Sequence, residues 1–208
     1  LDRKPCDAFG GPDCSHPNFT ATQKAISYSM TSFFTTGGIR GGKKKLDKFY
    51  PRSFNMGIKT SVYNALGGFS NMRFGEDIDF SIRIFKGGYS CRLFPEAWVW
   101  HKRRTDFKKF FKQVYNSGIA RINLYKKYPD SLKVVHLLPT VFTLGCLSLV
   151  LVSLIWLNVL PMSLILLYSL LIFIDASFQN KSVKIGFLAV IASFVQLFGY
   201  GLGFIKAW

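Results

Sequence analysis

Three carboxylates crowd four positions of the chain, at Glu76, Asp77 and Asp79, immediately after Gly75. They begin a segment with a helical apolar face, and negative charge is favourable at a helix N-terminus, so helix capping explains part of this pattern. A carboxylate held rigidly at such a turn could also remove a proton from a hydroxyl nucleophile, with the glycine letting the backbone approach a ligand. The segment therefore predicts either a helix N-terminus alone or the site of a general base.

A second candidate site surrounds His101, which ends a short predicted strand and precedes Lys102, Arg103 and Arg104. Imidazole is an ordinary ligand of transition metals and a less usual ligand of Mg²⁺. The neighbouring cations suit the charge of a diphosphate group. A solvated histidine in a basic loop would have the same sequence, so both interpretations stay open at this point.

The elements that must position these residues alternate between strands and helices. Glycine pairs end two predicted helices, one over 60–66 and one that follows Glu76. The predicted strands are 8–11, 53–58, 90–94 and 97–100. This alternation indicates an α/β layer structure. The glycine- and lysine-rich run 37–45 lacks P-loop spacing, so we predict a mobile loop there, with contact to phosphate or acceptor as the alternative.

Basic residues concentrate in the first part of the chain. Of the 27 Lys and Arg residues, 24 precede Val134, where they outnumber 10 acidic residues. Such an excess indicates a partner that carries phosphate groups, whether anionic lipid, a nucleotide diphosphate or nucleic acid. The 4 cysteines have no Cys-x-x-Cys spacing. They indicate neither a zinc site nor a disulfide framework and favour a reducing cytoplasm.

The remainder of the chain is strongly apolar. It predicts three helices long enough to span a membrane, at 134–157, 159–174 and 185–205. Under the positive-inside rule Lys181, Lys184 and the basic N-terminal part lie on the cytoplasmic side, which places the C-terminus outside. These features indicate a multi-pass protein of the plasma or inner membrane.

Residues 105–133 connect the basic part to the apolar part. Their aromatic and aliphatic side chains recur near helical spacing with lysines between them, so they predict an amphipathic helix with Thr105 as its cap. Such a helix could lie in the lipid headgroup layer or pack against the soluble part of the protein.

Five short motifs, by their order and spacing, carry a resemblance to a known family. They are Gly10-Gly11-Pro12, Asn55-Met56-Gly57-Ile58, Leu66-Gly67-Gly68-Phe69, Glu76-Asp77 with Arg83 and Gly87-Gly88, and Trp100-His101-Lys102-Arg103-Arg104. With them the chain resembles the family 2 glycosyltransferases of the GT-A fold. The resemblance implies an α/β, partial GT-A (Rossmann-like) domain over residues 1–104, the amphipathic helix over 105–133 and an α-helical transmembrane region over 134–208.

The resemblance also implies a role for each candidate residue. Asp77 is the general base that takes the proton of the acceptor hydroxyl, and Glu76 is its neighbour at the acceptor site. His101 contributes to a site for a divalent cation, Mg²⁺ or Mn²⁺, whose main ligands in such enzymes form an earlier Asp-x-Asp motif. The residues implied to contact substrates are Gly11, Arg83, Lys102 and Arg104.

One feature of the family pattern is absent from this sequence. The chain begins at Leu1 and has no Asp-x-Asp motif before Gly10. We therefore expect a piece of a longer protein that lacks the nucleotide-binding half. Such a piece would expose an edge of its sheet and be inactive in isolation.

The leading hypothesis is an inverting enzyme that moves a sugar from a nucleotide-sugar donor to a lipid-linked or polysaccharide acceptor at the membrane. A processive polysaccharide synthase is a related possibility, but the Gln-x-x-Arg-Trp motif of those enzymes is absent at 113–117, which favours a single addition. The alternative is a non-enzymatic basic membrane protein that binds anionic lipid or nucleic acid. No nucleic-acid fold motif is present in the sequence, so we expect no nucleic-acid partner.

Overall fold

A computed structural model describes residues 6–37 and 49–208. They form two compact units. The strand unit contains residues 6–16 and 49–102, and the helical unit contains residues 17–37 and 103–208. This division differs from the predicted first domain, 1–104, because the segment that begins at Pro17 packs with the C-terminal helices.

The strand unit contains two small sheets. In the larger one the central strand β1 (Ala8–Gly10) pairs antiparallel with β3 (Met56–Ile58) and parallel with β4 (Cys91–Leu93). The smaller sheet is the parallel pair of β2 (Asp13–Cys14) and β5 (Val99–Trp100). Together with the helices described next, these sheets confirm the expected mixed α/β architecture.

Two helices complete the strand unit, α3 (Thr60–Ala65) and α4 (Glu76–Lys86). Gly75, directly before α4, has φ of 82°, a left-handed conformation that favours glycine. Phe80 and Ile84 are fully buried in one cluster with Ala8 of the central strand. Burying each of these large side chains contributes about 1.5–3 kcal/mol, so the apolar face of α4 fixes the orientation of its N-terminus.

The predicted strand 53–58 is shorter in the structure because its first residues form a turn. The backbone N–H of Asn55 donates to the carbonyl of Arg52 at 2.8 Å. The side-chain amide of Asn55 donates to the carbonyl of Ala97, also at 2.8 Å. These bonds hold residues 52–55 out of the sheet, so extended pairing begins only at Met56.

The helical unit begins with an element that the sequence reading missed. Helix α1 (Ala21–Thr31) has a capping box in which Thr20 and Gln23 satisfy each other's backbone N–H groups. The Thr-x-x-Gln spacing of this capping box is the sequence signal that predicts the start of α1. The short helix α2 (Phe33–Thr36) follows.

Helix α5 (Phe107–Lys127) confirms an amphipathic helix between the basic and apolar parts. Its cap is Asp106 rather than the predicted Thr105, because the Asp106 carboxylate accepts the Lys109 backbone N–H at 2.7 Å. The buried side chains of α5 include Phe110, Val114 and Ile122, which pack inside the helical unit.

Three helices are long and apolar enough to cross a membrane, which supports membrane association. They are α6 (Leu138–Ile155), α7 (Leu160–Asn180) and α8 (Val183–Ala207). The first begins later than predicted, since Val134–His136 form a 3₁₀ turn. The second continues beyond the predicted end at 174, because the Asp175 carboxylate accepts side-chain hydrogen bonds from Tyr28 of α1 and from Gln179 of α7 itself. The predicted polar break 175–184 is shorter in the structure, where Lys181 and Ser182 separate α7 from α8.

The glycine- and lysine-rich run 37–45 was predicted to be a loop. Gly37 ends α2 in a left-handed conformation with φ of 62°. The other residues of this run lie outside the described part of the chain.

Candidate functional site

Asp77 lies in the first turn of α4, where the burial of the helix face fixes the backbone. Its Oδ2 is 3.5 Å from Nη1 of Arg52, and its Oδ1 accepts the Ile78 backbone N–H at 2.8 Å. The side chain of Asp77 is 14% exposed and that of Arg52 is 38% exposed. The carboxylate is therefore both oriented by neighbours and accessible to a small group. Glu76, beside it, is half-buried.

Asp79, two residues further on, has a different environment. Its side chain is fully buried and its Oδ2 accepts a hydrogen bond from Nε of Arg83 at 3.0 Å. The same guanidinium donates to the carbonyls of Leu66 and Gly68, both at 2.6 Å. Arg83 thus ties α4 to the end of α3, and this geometry favours a structural role. Its predicted contact with substrate stays a prediction.

His101 directly follows β5, and its backbone N–H donates to the carbonyl of Cys14 at 3.2 Å. Its Nδ1 lies 3.5 Å from Oδ2 of Asp13. This is an ion-pair distance without hydrogen-bond geometry, since Nδ1 is buried and makes no hydrogen bond within the described residues. The ring of Phe54 packs on the imidazole with 4.0 Å between the ring centroids.

One turn contacts both predicted site residues. In residues 52–55, Arg52 reaches Asp77 and Phe54 packs on His101. The structure therefore brings Asp77 and His101 against a single short segment. Sequence reasoning missed Arg52 and Phe54, because no motif or spacing connects them with partners 25 and 47 positions away.

The remaining predicted substrate contacts have varied surroundings. A Cβ at Gly11 would overlap the backbone carbonyl of Ala97, so close packing accounts for the glycine. Lys102 is exposed in the strand unit. Arg104 belongs to the helical unit, where its Nε donates to the side-chain oxygen of Gln113 at 2.9 Å. None of these observations tests contact with a substrate, so these roles stay predictions.

Arg103 is a buried cation that the sequence reading did not single out. Its backbone carbonyl accepts a hydrogen bond from Nε2 of Gln23 at 3.1 Å, and its Nε lies 3.4 Å from Oγ of Ser27. The second residue of the basic run therefore joins α1 to the start of α5 within the helical unit. Only the tertiary contacts distinguish it from its exposed neighbours.

Two titratable groups of the strand unit have shifted pKa values. Hydrogen bonds from Ser90 and the nearby Lys59 ammonium lower the pKa of Asp7 to about 2. Burial raises the pKa of the Cys91 thiol to about 12. Because the thiolate is the nucleophilic form, Cys91 is a packing residue and not a candidate nucleophile.

A divalent cation needs more ligands than the described residues bring together, since Mg²⁺ prefers octahedral oxygen coordination. Across residues 6–37 and 49–208, no group of three or more His, Cys, Asp or Glu side chains converges. His101 and Asp13 supply a pair of possible ligands. These residues do not form a complete metal site by themselves.

The class of protein is shown by a comparison with known families. The model of the Glycosyl transferase family group 2 matches residues 53–199, which is more than half of the chain. The protein therefore belongs to this family. The matched region contains Asp77, His101 and residues 53–55 of the turn before β3. It extends through most of the apolar helices.

A relative from a bacterium is similar over a shorter stretch. The chain is 32% identical over 71 residues to the Probable glycosyltransferase YdaM of Bacillus subtilis (strain 168). The similar stretch covers 34% of this chain and 16% of that protein. The chain thus spans less than a fifth of the length of this relative.

Proposed function

We propose that the protein acts as an inverting glycosyltransferase with Asp77 as its general base. The observation that carries this proposal is the setting of Asp77. Its carboxylate is fixed in the first turn of α4, is 14% exposed and lies 3.5 Å from the Arg52 guanidinium. Family membership favours a transferase over a basic protein that only binds lipid or nucleic acid.

In the proposed reaction an acceptor hydroxyl attacks the anomeric carbon of a nucleotide-activated sugar. Asp77 takes the hydroxyl proton as the new bond between oxygen and the anomeric carbon forms. The bond from that carbon to the diphosphate breaks on the opposite face, and the nucleoside diphosphate leaves with the electron pair. One base on the attacking side is enough for a single displacement, which inverts the anomeric configuration.

Arg52 is a positioning residue in this proposal. Its guanidinium holds one carboxylate oxygen of Asp77, while the Ile78 backbone N–H holds the other. Two such contacts limit the rotation of the carboxylate and keep it aimed at one place. An approaching hydroxyl would share or displace the more exposed Arg52 contact, so this residue affects orientation more than the fold.

A divalent cation, Mg²⁺ or Mn²⁺, is a separate part of the proposal. It is motivated by the proximity of His101 and Asp13, although the described residues do not complete a site. The proton transfer assigned to Asp77 does not depend on it. Loss of activity in a chelator, restored by one of these ions, would support the cation.

The membrane and the charge distribution suggest the acceptor. The basic part of the chain and the basic helix α5 precede the apolar helices in the sequence, so we propose a lipid-linked or polysaccharide acceptor at the membrane surface. The positive-inside rule favours a cytoplasmic position for the strand unit, in the plasma or inner membrane. The absence of Gln-x-x-Arg-Trp at 113–117 favours a single addition.

The Asp77→Asn variant of the full-length protein tests the proposal. General base catalysis contributes roughly 10²- to 10⁴-fold, so transfer measured with membranes and a panel of nucleotide sugars should fall by that factor. Folding, followed by thermal unfolding, should be retained. The matched control is Asp130→Asn, an exposed carboxylate outside the strand unit, which should keep full activity. Undiminished transfer by Asp77→Asn would remove Asp77 as the base.

A further inference from the structure

We propose that the α6–α7 hairpin alone enters the lipid bilayer and that α8 lies along the membrane surface. Both ends of α8, and with them the C-terminus, then lie on the same side of the membrane as α1 and α5. This arrangement replaces the three crossings that length and composition predict. It does not depend on the proposed enzymatic activity.

Helices α1 and α5 fix one side of the membrane. The 11 residues of α1 extend about 16 Å, too short for a hydrocarbon core of about 30 Å. Arg103, just before α5, bonds to Gln23 and Ser27 of α1, so the segment that leads into α5 lies against α1. The charged side chains of α5 that bar it from the bilayer core are Lys108, Lys109, Lys112, Arg121, Lys126 and Lys127.

The first half of α8 packs with α1. Ile185, Ala189 and Ala192 are buried in one apolar cluster with Ala25 and Ile26 of α1. The small alanine side chains allow the two helices to approach closely. The N-terminal half of α8 therefore lies at the same depth as α1, which is too short to cross the bilayer.

The second half of α8 packs with α5. A Cβ at Gly203 would overlap the backbone of Tyr115, so these helices are in direct backbone contact. Further along, Nζ of Lys126 donates to the carbonyl of Ala207 at 2.7 Å. The rings of Tyr125 and Trp208 stack with their centroids 5.7 Å apart. The C-terminal end of α8 thus lies beside the basic C-terminal end of α5.

These contacts are incompatible with α8 as an independent crossing. Its 25 residues extend about 37 Å, so a perpendicular α8 would carry α5 and its cations into the hydrocarbon core. An α8 parallel to the surface leaves those cations in water. Its exposed apolar side chains then form a stripe at helical spacing that suits the lipid interface. They include Phe187, Ile191, Leu202 and Ile205.

The open end of the α6–α7 hairpin lies on the same side of the membrane as α1 and α5. Asp175, in the last turns of α7, accepts a hydrogen bond from the hydroxyl of Tyr28 in α1 at 2.5 Å. Thr143, in the first turns of α6, places its hydroxyl 3.4 Å from the carbonyl of Leu197 in α8. The end of α7 and the start of α6 therefore both contact helices that stay outside the bilayer core.

The closed end of the hairpin is apolar. Ile155, Trp156, Leu157 and Val159 are between 72% and 93% exposed. Asn158, the polar residue between them, accepts the Leu160 backbone N–H at 2.9 Å. In the apolar 18-residue stretch of each helix, 17% of the residues of α6 and 11% of those of α7 are buried, against 44% for α8. The hairpin thus offers more surface to lipid than α8 does.

Sealed membrane vesicles of both orientations test this topology in the full-length protein. A C-terminal epitope tag on the unsubstituted chain is digested with protease, which avoids any folding defect. Lys112→Cys in α5, labelled with a membrane-impermeant maleimide, marks the reference side, and the unsubstituted protein gives the background of native cysteines. We expect the tag to be digested only in those vesicles in which Lys112→Cys is labelled. Digestion only in vesicles of the opposite orientation would establish a third crossing and overturn the proposal.

The hairpin tip gives an independent readout. Asn158→Cys should not be labelled by the impermeant maleimide from the side on which Lys112→Cys is labelled. Labelling of both substitutions from that side would show that the hairpin does not enter the bilayer. Solubilised protein, in which both thiols should react, controls for intrinsic reactivity.

Discussion

Two carboxylates of helix α4 lie only two residues apart, but they are on different faces of the helix and have different environments. Asp79 faces the interior, where Arg83 satisfies it and in turn binds the carbonyls of Leu66 and Gly68. Asp77 faces the turn at 52–55 and keeps one partly exposed cationic neighbour. The difference indicates that a buried, fully paired carboxylate maintains the fold, whereas a partly open one is available for chemistry.

Asp79→Asn should produce the largest loss of stability. The substitution leaves the Arg83 guanidinium without its buried counter-charge. Removing one partner of a buried ion pair costs about 3–5 kcal/mol of stability. Denaturant unfolding of the full-length protein measures this loss. Asp77→Asn is the matched variant and should change the free energy of unfolding by less than about 1 kcal/mol. Equal destabilisation by the two substitutions would contradict the distinction between the faces.

Arg83→Lys separates the charge of Arg83 from its geometry. A lysine ammonium keeps the ion pair with Asp79 but cannot reach both backbone carbonyls in the forked arrangement of a guanidinium. We expect a loss of about 1–3 kcal/mol in unfolding free energy, smaller than for Asp79→Asn. If Arg83 instead contacts substrate, the Michaelis constant rises while stability stays unchanged.

Arg52→Met tests the open face of α4. Removing the guanidinium frees the rotation of the Asp77 carboxylate, so kcat should fall roughly tenfold, with little change in the Michaelis constant. Stability should change by less than about 1 kcal/mol, because the pair is partly solvated. Arg52→Lys should restore part of kcat. The control is Arg92→Met, an exposed arginine of β4, which should leave both kinetic constants unchanged.

Asp7 extends the comparison to a carboxylate that is 24% exposed, and it carries the smallest expected effect. Hydrogen bonds from Ser90 and the Lys59 ammonium lower the pKa of Asp7 in the folded protein to about 2, so its contribution to stability is complete above about pH 4. That contribution is lost as the pH falls from about 4 towards 2. The difference in unfolding free energy between the wild type and Asp7→Asn should therefore shrink over this range. If the difference in unfolding free energy stayed constant over this range, the Asp7 carboxyl group would not be its cause.

Local sequence patterns determined much of the architecture. Apolar periodicity and the glycine pairs located α3 and α4, and three apolar runs located the long helices. The order of the motifs identified the family, which the comparison with family models confirmed. These features depend on residues within one or two turns of each other, and so they can be read directly from the sequence.

The tertiary structure decided which residues meet. Arg52 reaches Asp77, Phe54 reaches His101, and residues 17–37 join the C-terminal helices. Asp175 remains inside α7 because Tyr28, far away in the sequence, donates a hydrogen bond to it. A polar residue in an apolar run predicts a helix end only if no partner satisfies it. The sequence shows the side chain, but the presence of that partner depends on how distant segments pack.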